Sequence, residues 1–163
     1  MAAAARLPRR SGVVYRAFGA ADALDTAMAL AALARRKGLI LLIGADAALA
    51  ARCRADGVHL PERLAGQTRR LQAQHPAWIV TTAAHSPRAL ARAAQAGADA
   101  AVLSVVFPSR SPSAGLAIGP VRFAALARVS RLPVIALGGV SSRTAPRLLD
   151  SGAVGVAAVN GLI

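Results

Sequence analysis

The sequence predicts an α/β fold in which parallel strands alternate with helices. Short runs rich in Val, Ile and Leu alternate along the chain with longer segments rich in Ala, Leu and Arg, which is the pattern of repeated βαβ units. The strand-like runs are almost wholly apolar, as expected for strands that are covered on both faces. Several of these runs end in glycine or a small polar residue, a feature of tight connections between strand and helix.

The elements are predicted in strict alternation. Strands are expected at 12–16, 39–43, 57–60, 78–83, 100–107, 133–137 and 154–159, and helices at 22–37, 47–54, 63–74, 86–97, 120–129 and 142–151. Gly38 stands where a glycine ends a helix, and Ser86-Pro87 supplies an N-cap and a first-turn proline. The Ser-, Pro- and Gly-rich segment 108–119 is predicted to be a loop and a candidate lid.

A closed barrel of this type needs eight strands, and the sequence provides seven. We therefore predict a TIM (β/α)8-type barrel that lacks the first strand–helix unit and the last helix. Residues 1–11 are expected to be a disordered or truncated segment, and 12–163 a single barrel domain. Two alternatives remain open: a partner or a second copy of the chain completes the barrel, or the sheet is open and doubly wound.

Composition limits the function classes. Hydrophobic residues make up 55% of the 163 positions, yet no apolar run is long enough to span a membrane, so we expect a cytoplasmic protein. The single cysteine, Cys53, excludes an internal disulfide and a cysteine-cluster zinc site, and we expect it to be buried. The net charge of +13 comes from scattered arginines without interleaved aromatics, which argues against nucleic-acid binding but favours anionic ligands.

The last two strand ends predict a phosphate site. Gly138 and Gly139 follow one strand, and Val159 and Asn160 end the next. Glycine lets the main chain approach an anion closely, and barrels of this class often bind phosphate after their last two strands. The alternative is that the two glycines only make a tight turn.

Five short motifs resemble a known family in their order and spacing. They are 55–60 (Ala-Asp-Gly-Val-His-Leu), His85-Ser86, 97–99 with 106–109, 137–140 and 155–157. Over residues 12–160 the chain resembles the thiamine phosphate synthase/TenI-like superfamily of TIM barrels. The resemblance implies an enzyme that joins a pyrimidine pyrophosphate to a thiazole phosphate with Mg²⁺ holding the pyrophosphate, or a TenI-type enzyme that aromatises the thiazole phosphate through a histidine.

Several positions depart from that pattern. The two aspartates that bind Mg²⁺ in the family are replaced by Ala45 and Leu64, with Asp46 and Glu62 as the nearest carboxylates. The TenI-type histidine falls at Val105. Mg²⁺ requires oxygen ligands in near-octahedral geometry, so we assign no metal ligand and no cofactor to this chain. The alternative is a rearranged magnesium site that uses Asp46 and Glu62.

Four further residues are candidates for the site, three of them implied by the resemblance and His85 by its place at a strand end. Arg16 matches an arginine of the family, although its Gln and Lys neighbours are Val14 and Phe18. Arg16 is expected to clamp a phosphate, or alternatively to pair with Asp46. His85, at a strand end, is expected to touch ligand or to close a turn.

The other two are serines of the loop after the fifth predicted strand. Ser109 and Ser111 correspond to hydroxyl residues that grip pyrophosphate in the family, and Arg110 stands near its lysine position. Their alternative is a solvated loop. His59, also at a strand end, is interpreted as a hydrogen-bonded structural residue.

The sequence is compatible with three functions. The first is a protein of thiamine biosynthesis that binds thiazole phosphate or thiamine phosphate, with transferase activity weakened by the missing carboxylates. The second is a non-catalytic phosphate-ligand binder or regulator. The third is another phosphosugar-type barrel isomerase. In each case the expected partner is a small phosphorylated ligand, without nucleic acid or membrane, and the chain is a candidate homo-oligomer.

Overall fold

The computed structural model describes residues 1–109, 111 and 115–159. Along these residues the predicted α/β class and the predicted seven strands are confirmed. The strands are β1 (Gly12–Tyr15), β2 (Ile40–Gly44), β3 (Gly57–Leu60), β4 (Ile79–Ala84), β5 (Ala100–Ser104), β6 (Val134–Leu137) and β7 (Gly155–Ala157). The helices are α1 (Ala2–Arg6), α2 (Ala23–Lys37), α3 (Ala47–Cys53), α4 (Thr68–Gln74), α5 (Pro87–Gln95) and α6 (Pro120–Val129), with 3₁₀ helices at Glu62–Gln67 and Ala145–Leu148.

The chain, predicted as one barrel domain, divides into two compact units, Met1–Val80 and Thr81–Ile163. In the first unit β1, β2 and β3 pair in parallel and in chain order. Strand β4 begins with the last two residues of the first unit, and from Thr81 onward β4, β5, β6 and β7 pair in the same way in the second unit. Each unit has its own cluster of buried apolar side chains, built mainly of Ala, Leu and Val. The aromatic-poor sequence therefore fills two small cores with short aliphatic side chains.

The first unit is held together by α2, which lies on the strands through one apolar face. The buried residues of this helix recur at intervals of three and four, as an amphipathic helix requires: Ala27, Leu30, Ala31, Leu33 and Ala34. The helix ends at Gly38, whose φ of 64° lies in the left-handed region where glycine is favoured. The predicted glycine stop is thus confirmed.

Residues 1–11, expected to be disordered or truncated, contain the short helix α1. Ala4 is buried in the core of the first unit, and the Lys37 ammonium donates a hydrogen bond to the carbonyl oxygen of Ala5. Alanine-rich sequence favours helix but rarely holds a five-residue helix by itself. The contact of Ala4 with the core supplies the stabilisation that sequence inspection does not reveal.

Asp56 joins the starting ends of two strands in the first unit. Its carboxylate accepts a hydrogen bond from the Leu41 amide at 2.7 Å, and its own amide donates to the Leu41 carbonyl at 2.9 Å. Its carbonyl oxygen accepts from the Ile79 amide at 2.9 Å. A charge-assisted bond to a main-chain amide is stronger than a neutral one. Asp56 is therefore a structural residue at the amino ends of the strands.

Helix capping in the second unit follows the sequence closely. The Ser86 hydroxyl accepts a hydrogen bond from the Ala89 amide at 3.1 Å, and Pro87 occupies the first turn of α5. Helix α6 has the predicted bounds, and Phe123 on its inner face is fully buried.

Cys53, in the first unit, is buried as expected, and burial raises the pKa of its thiol, which keeps it protonated.

Two predicted elements of the second unit are shorter than expected. The helix predicted at 142–151 is only a 3₁₀ turn, because Pro146 lacks an amide donor and Thr144 hydrogen-bonds the main chain beside it. The strand predicted to reach Phe107 ends at Ser104, where the chain bends towards the end of β6. Among the described residues no helix is long and apolar enough to cross a membrane.

The close approach of β3 to the start of β4 predicts a large penalty for a side chain at Gly57. A Cβ atom there would lie 1.9 Å from the Ile79 carbonyl oxygen, whereas a Cβ at Gly66 would meet no atom within 4 Å. We expect Gly57→Ala to lower the free energy of unfolding by about 3 kcal/mol or more. Urea titration should show this loss, and the control Gly66→Ala should retain the wild-type midpoint. Equal midpoints for both variants would contradict the close packing.

Candidate functional site

The predicted phosphate-binding glycines follow β6 and pack against a neighbouring segment of the second unit. Gly138 and Gly139 have φ values of 99° and 61°. A Cβ on Gly138 would lie 2.6 Å from a Val105 methyl group, and one on Gly139 would lie 2.4 Å from the Pro108 carbonyl oxygen. Glycine is therefore required here by protein packing. This reason was not visible in the sequence, which suggested close approach of an anion or a tight turn.

Hydrogen bonds hold the segment 105–108 between β6 and the start of α6. The amides of Val106 and Phe107 donate to the carbonyls of Leu137 and Gly138 at 3.0 and 2.9 Å. On the other side, Ile118 and Gly119 amides donate to the carbonyls of residues 105 and 106 at 2.9 and 3.0 Å. Both ends of the predicted lid loop are thereby anchored beside the glycine pair.

The turn after the glycine pair is fixed by one hydroxyl group. Thr144 Oγ1 donates to the Gly139 carbonyl at 2.9 Å and accepts from the Ser141 amide at 2.9 Å. Within the described residues, the amides of Gly139 and Val140 donate no hydrogen bond to protein. Successive amides without protein partners, next to residues of positive φ, form the kind of main-chain concavity that binds anions.

The two loop serines lie close together. The Ser111 amide donates to Ser109 Oγ at 3.2 Å, with Ser109 half-buried and Ser111 exposed. The structure thus brings together the two hydroxyl residues that the sequence singled out in this loop. Arg110, whose guanidinium was expected to add positive charge, lies outside the described residues.

The other predicted residues of the second unit lie at strand ends. Val159 comes two residues after the end of β7 at Ala157, which pairs with Leu137 at the end of β6. Its side chain is 82% exposed. Asn160 lies outside the described residues. His85 is exposed between β4 and the N-cap Ser86, at the carboxyl end of its strand as the sequence indicated.

Arg16 belongs to the first unit, where it follows β1 directly. Its side chain is exposed, and the guanidinium carbon lies 4.4 Å from the centre of the Phe18 ring. His59, in β3, is half-buried. Burial, together with a smaller contribution from the positive charge of Arg16, lowers the pKa of His59 to about 4. His59 is therefore neutral at physiological pH, and Arg16 is near enough to influence it.

The residues at the expected magnesium positions do not fit the ion. Ala45 has a positive φ of 61° and offers no carboxylate, and Leu64 lies within a 3₁₀ helix. Asp46 instead caps α3, with its carboxylate accepting from the Leu49 amide at 2.8 Å. In the part of the chain that the structure describes, no three His, Cys, Asp or Glu side chains converge in a geometry suited to a metal. Mg²⁺ depends on oxygen ligands such as the carboxylates that are missing at these two positions.

Comparisons with known proteins agree with the family resemblance seen in the short motifs. A family model described as thiamine monophosphate synthase covers residues 8–162. The thiamine-phosphate synthase of Thiobacillus denitrificans is 37% identical over 82% of this chain and 64% of its own length. That of Methylobacillus flagellatus is 36% identical over 86% of this chain and 68% of its own length. The chain thus spans about two thirds of these curated relatives.

A solved structure confirms the predicted TIM-barrel-type fold. Thiamine phosphate pyrophosphorylase from Pyrococcus furiosus superposes with a TM-score of 0.78 over 91% of this chain and 72% of that protein. The sequence identity is 22%, so this likeness concerns the fold. The resemblance stated from short motifs is confirmed by the family match over most of the chain.

The lowered pKa of His59 predicts acid sensitivity of the first unit. Between pH 6.5 and 4 the unfolded chain binds a proton on His59 that the folded chain does not, so stability falls as the pH decreases. By pH 4 the loss is on the order of 2 kcal/mol, because screening at this half-buried ring reduces the full linkage value. Urea titrations at pH 7 and 4.5 should show that the free energy of unfolding falls less for His59→Gln than for the wild type. The same loss in both proteins would contradict the assignment.

Proposed function

Because this chain belongs to the thiamine monophosphate synthase family, we propose that it binds the phosphate group of a phosphorylated thiazole or of thiamine phosphate at the turn after β6. The observation that carries the proposal is the pair of amides at Gly139 and Val140, which have no protein acceptor within the described residues. Main-chain amides bind phosphate oxygens without requiring a metal ion.

The geometry of the turn suits a small phosphate ester. Thr144 holds the carbonyl of Gly139 on one side of the turn, which fixes the direction of the amide that follows. Val159 follows the end of β7, the strand next to β6, and both ends of the predicted loop 108–119 are anchored beside the glycine pair. A preorganised turn binds an anion more tightly than a flexible one because less conformational freedom is lost.

The missing carboxylates favour binding over efficient transfer of a pyrimidine group. Departure of pyrophosphate develops negative charge, which a metal ion would ordinarily stabilise. Ala45 and Leu64 offer no ligand for such an ion, and Asp46 is engaged in capping α3. We therefore propose a ligand-binding member of the family with weak or absent synthase activity.

A second candidate is the synthase reaction itself. The presence of Ser109 and Ser111, joined by a hydrogen bond from the Ser111 amide to Ser109 Oγ, favours it, because hydroxyl residues of this loop grip pyrophosphate in the family that the sequence resembles. In either case the partner is a small phosphorylated metabolite, and we place the protein in the cytoplasm, where such compounds are made.

Calorimetry with thiazole phosphate tests the phosphate site. We expect Thr144→Val to weaken binding about tenfold, since the turn loses both hydrogen bonds made by the hydroxyl. Thr144→Ser keeps the hydroxyl and should bind nearly as tightly as the wild type. Equal affinity of the wild type and Thr144→Val would contradict the site.

Turnover separates the candidate functions. The wild-type protein is supplied with pyrimidine pyrophosphate, thiazole phosphate and Mg²⁺, and thiamine phosphate is measured. We expect binding of thiazole phosphate with little or no product. Formation of thiamine phosphate at rates typical of enzymes would support the second candidate instead. Turnover of a sugar phosphate, with no binding of thiazole phosphate, would point to a phosphosugar isomerase.

A further inference from the structure

A surface pocket of about 420 Å³ lies at the amino ends of the strands in the first unit. Its charged and aromatic lining residues are Arg54, Asp56, His75 and Trp78, and three alanines complete the wall. Pockets of this size, with mostly apolar walls and a few polar groups, bind small organic molecules. All the lining residues belong to the first unit, so this amino-end pocket is formed by one compact body.

One wall of the amino-end pocket is a pair of stacked rings. The centres of the His75 imidazole and the Trp78 indole are 3.7 Å apart, and the two planes are 11° from parallel. The turn between them contains Pro76 and is closed by the Trp78 amide, which donates to the His75 carbonyl at 2.9 Å. Trp78 also packs against the buried core of the first unit. The aromatic wall is therefore fixed before any ligand binds.

Two donor groups at the pocket have no protein acceptor. Among the residues that the structure describes, neither the Arg54 guanidinium nor the Trp78 indole N–H forms a hydrogen bond or an ion pair with protein. Trp78 is half-buried, and the N–H of a buried indole ordinarily has an acceptor. The Asp56 carboxylate instead accepts from the Leu41 amide at 2.7 Å. The pocket thus offers donors to an acceptor that the described protein does not supply.

Arg54 holds its place in a backbone conformation that favours glycine. It follows α3 with φ 53° and ψ 49°, in the left-handed region where helices commonly end on glycine or asparagine. Gly38 ends α2 in the same region without a side chain. The arginine therefore brings a guanidinium to the pocket at a position where glycine would be less strained. Retained strain of this kind is typical of functional positions.

We propose that the amino-end pocket binds a small aromatic carboxylate. The Arg54 guanidinium pairs with the two carboxylate oxygens side by side, and the ring of the ligand packs on the wall made by His75 and Trp78. One planar cation matches one carboxylate, whereas the negative charge of Asp56 opposes a multiply charged phosphate group. The inference does not rest on the proposed function, which concerns a turn of the second unit.

Fluorescence of Trp78 tests the proposal directly, because it is the single tryptophan of the chain. Benzoate is titrated at constant ionic strength while the emission is recorded, and calorimetry measures the affinity independently. We expect a saturable change in emission that agrees with the calorimetric affinity for one site. An emission that stays constant, or that falls without reaching saturation, would overturn the inference.

Two further probes separate the contribution of the ring from that of the charge. Cyclohexanecarboxylate keeps the carboxylate and loses the aromatic ring, and we expect it to bind about fivefold more weakly than benzoate. Inorganic phosphate is an anion without a ring, and it should leave the emission of Trp78 unchanged over the same concentration range. A phosphate response equal to that of benzoate would mean general attraction to a basic chain and would overturn the site.

Matched variants test the role of the guanidinium. Arg54→Gln should weaken benzoate binding at least about tenfold, because the paired charged contact is lost. Arg52→Gln removes the same charge from the exposed last turn of α3, outside the pocket, and should leave the affinity unchanged. Equal weakening by both variants would overturn the site.

Arg54→Gly separates binding from folding. Glycine adopts the left-handed conformation at this position without strain, so the variant should unfold at the same urea concentration as the wild type or a higher one. It should nevertheless bind benzoate at least about tenfold more weakly, as Arg54→Gln does. Wild-type affinity in this folded variant would contradict the assignment of Arg54 to the ligand.

Discussion

Close approach of main-chain segments at the ends of strands is the constraint on which this structure depends. At the amino ends, Gly57 meets the Ile79 backbone at a distance that no side chain permits. At the carboxyl ends, Gly138 and Gly139 meet the segment 105–108 in the same way. Short aliphatic side chains fill the space between strands and helices, so little bulk separates neighbouring segments. Glycine at these few positions lets small cores close without voids.

The same constraint explains how the candidate sites are shaped. The glycine pair after β6 accommodates the segment 105–108, and the following turn retains two amides that the described protein does not use. Gly44 accommodates the stem of an arginine rather than a main-chain segment. In both units, the lack of a Cβ atom at a strand end determines which groups occupy that strand end.

Much of the fold could be predicted because its signals are local. The strand bounds agree within a few residues, α6 agrees at both ends, and Gly38 and Ser86 cap their helices as expected. Two elements could not be predicted from local sequence. Helix α1 depends on a contact with Lys37, which lies far along the chain, and the 3₁₀ turn at Ala145–Leu148 depends on the Thr144 hydroxyl, which competes with helix formation.

The candidate site was only partly predictable for the same reason. Hydrophobic runs followed by glycine showed where strands end, and thus where Arg16, His85 and the glycine pair lie. The sequence did not reveal that Thr144 fixes the turn or that Arg16 crosses Gly44, since both are contacts between residues of separate elements. Contacts between separate elements depend on how those elements pack, which the hydrophobic periodicity of the sequence does not reveal.

Asp56 has an evolutionary consequence. Asp56 joins the starts of β2 and β4 at their amino ends. The candidate site residues lie at the opposite, carboxyl ends of the strands. Residues that stabilise such a scaffold are then physically separate from residues that perform chemistry, so the second set is free to drift. A substitution at the carboxyl ends of the strands can therefore leave the hydrogen bonds of Asp56 intact.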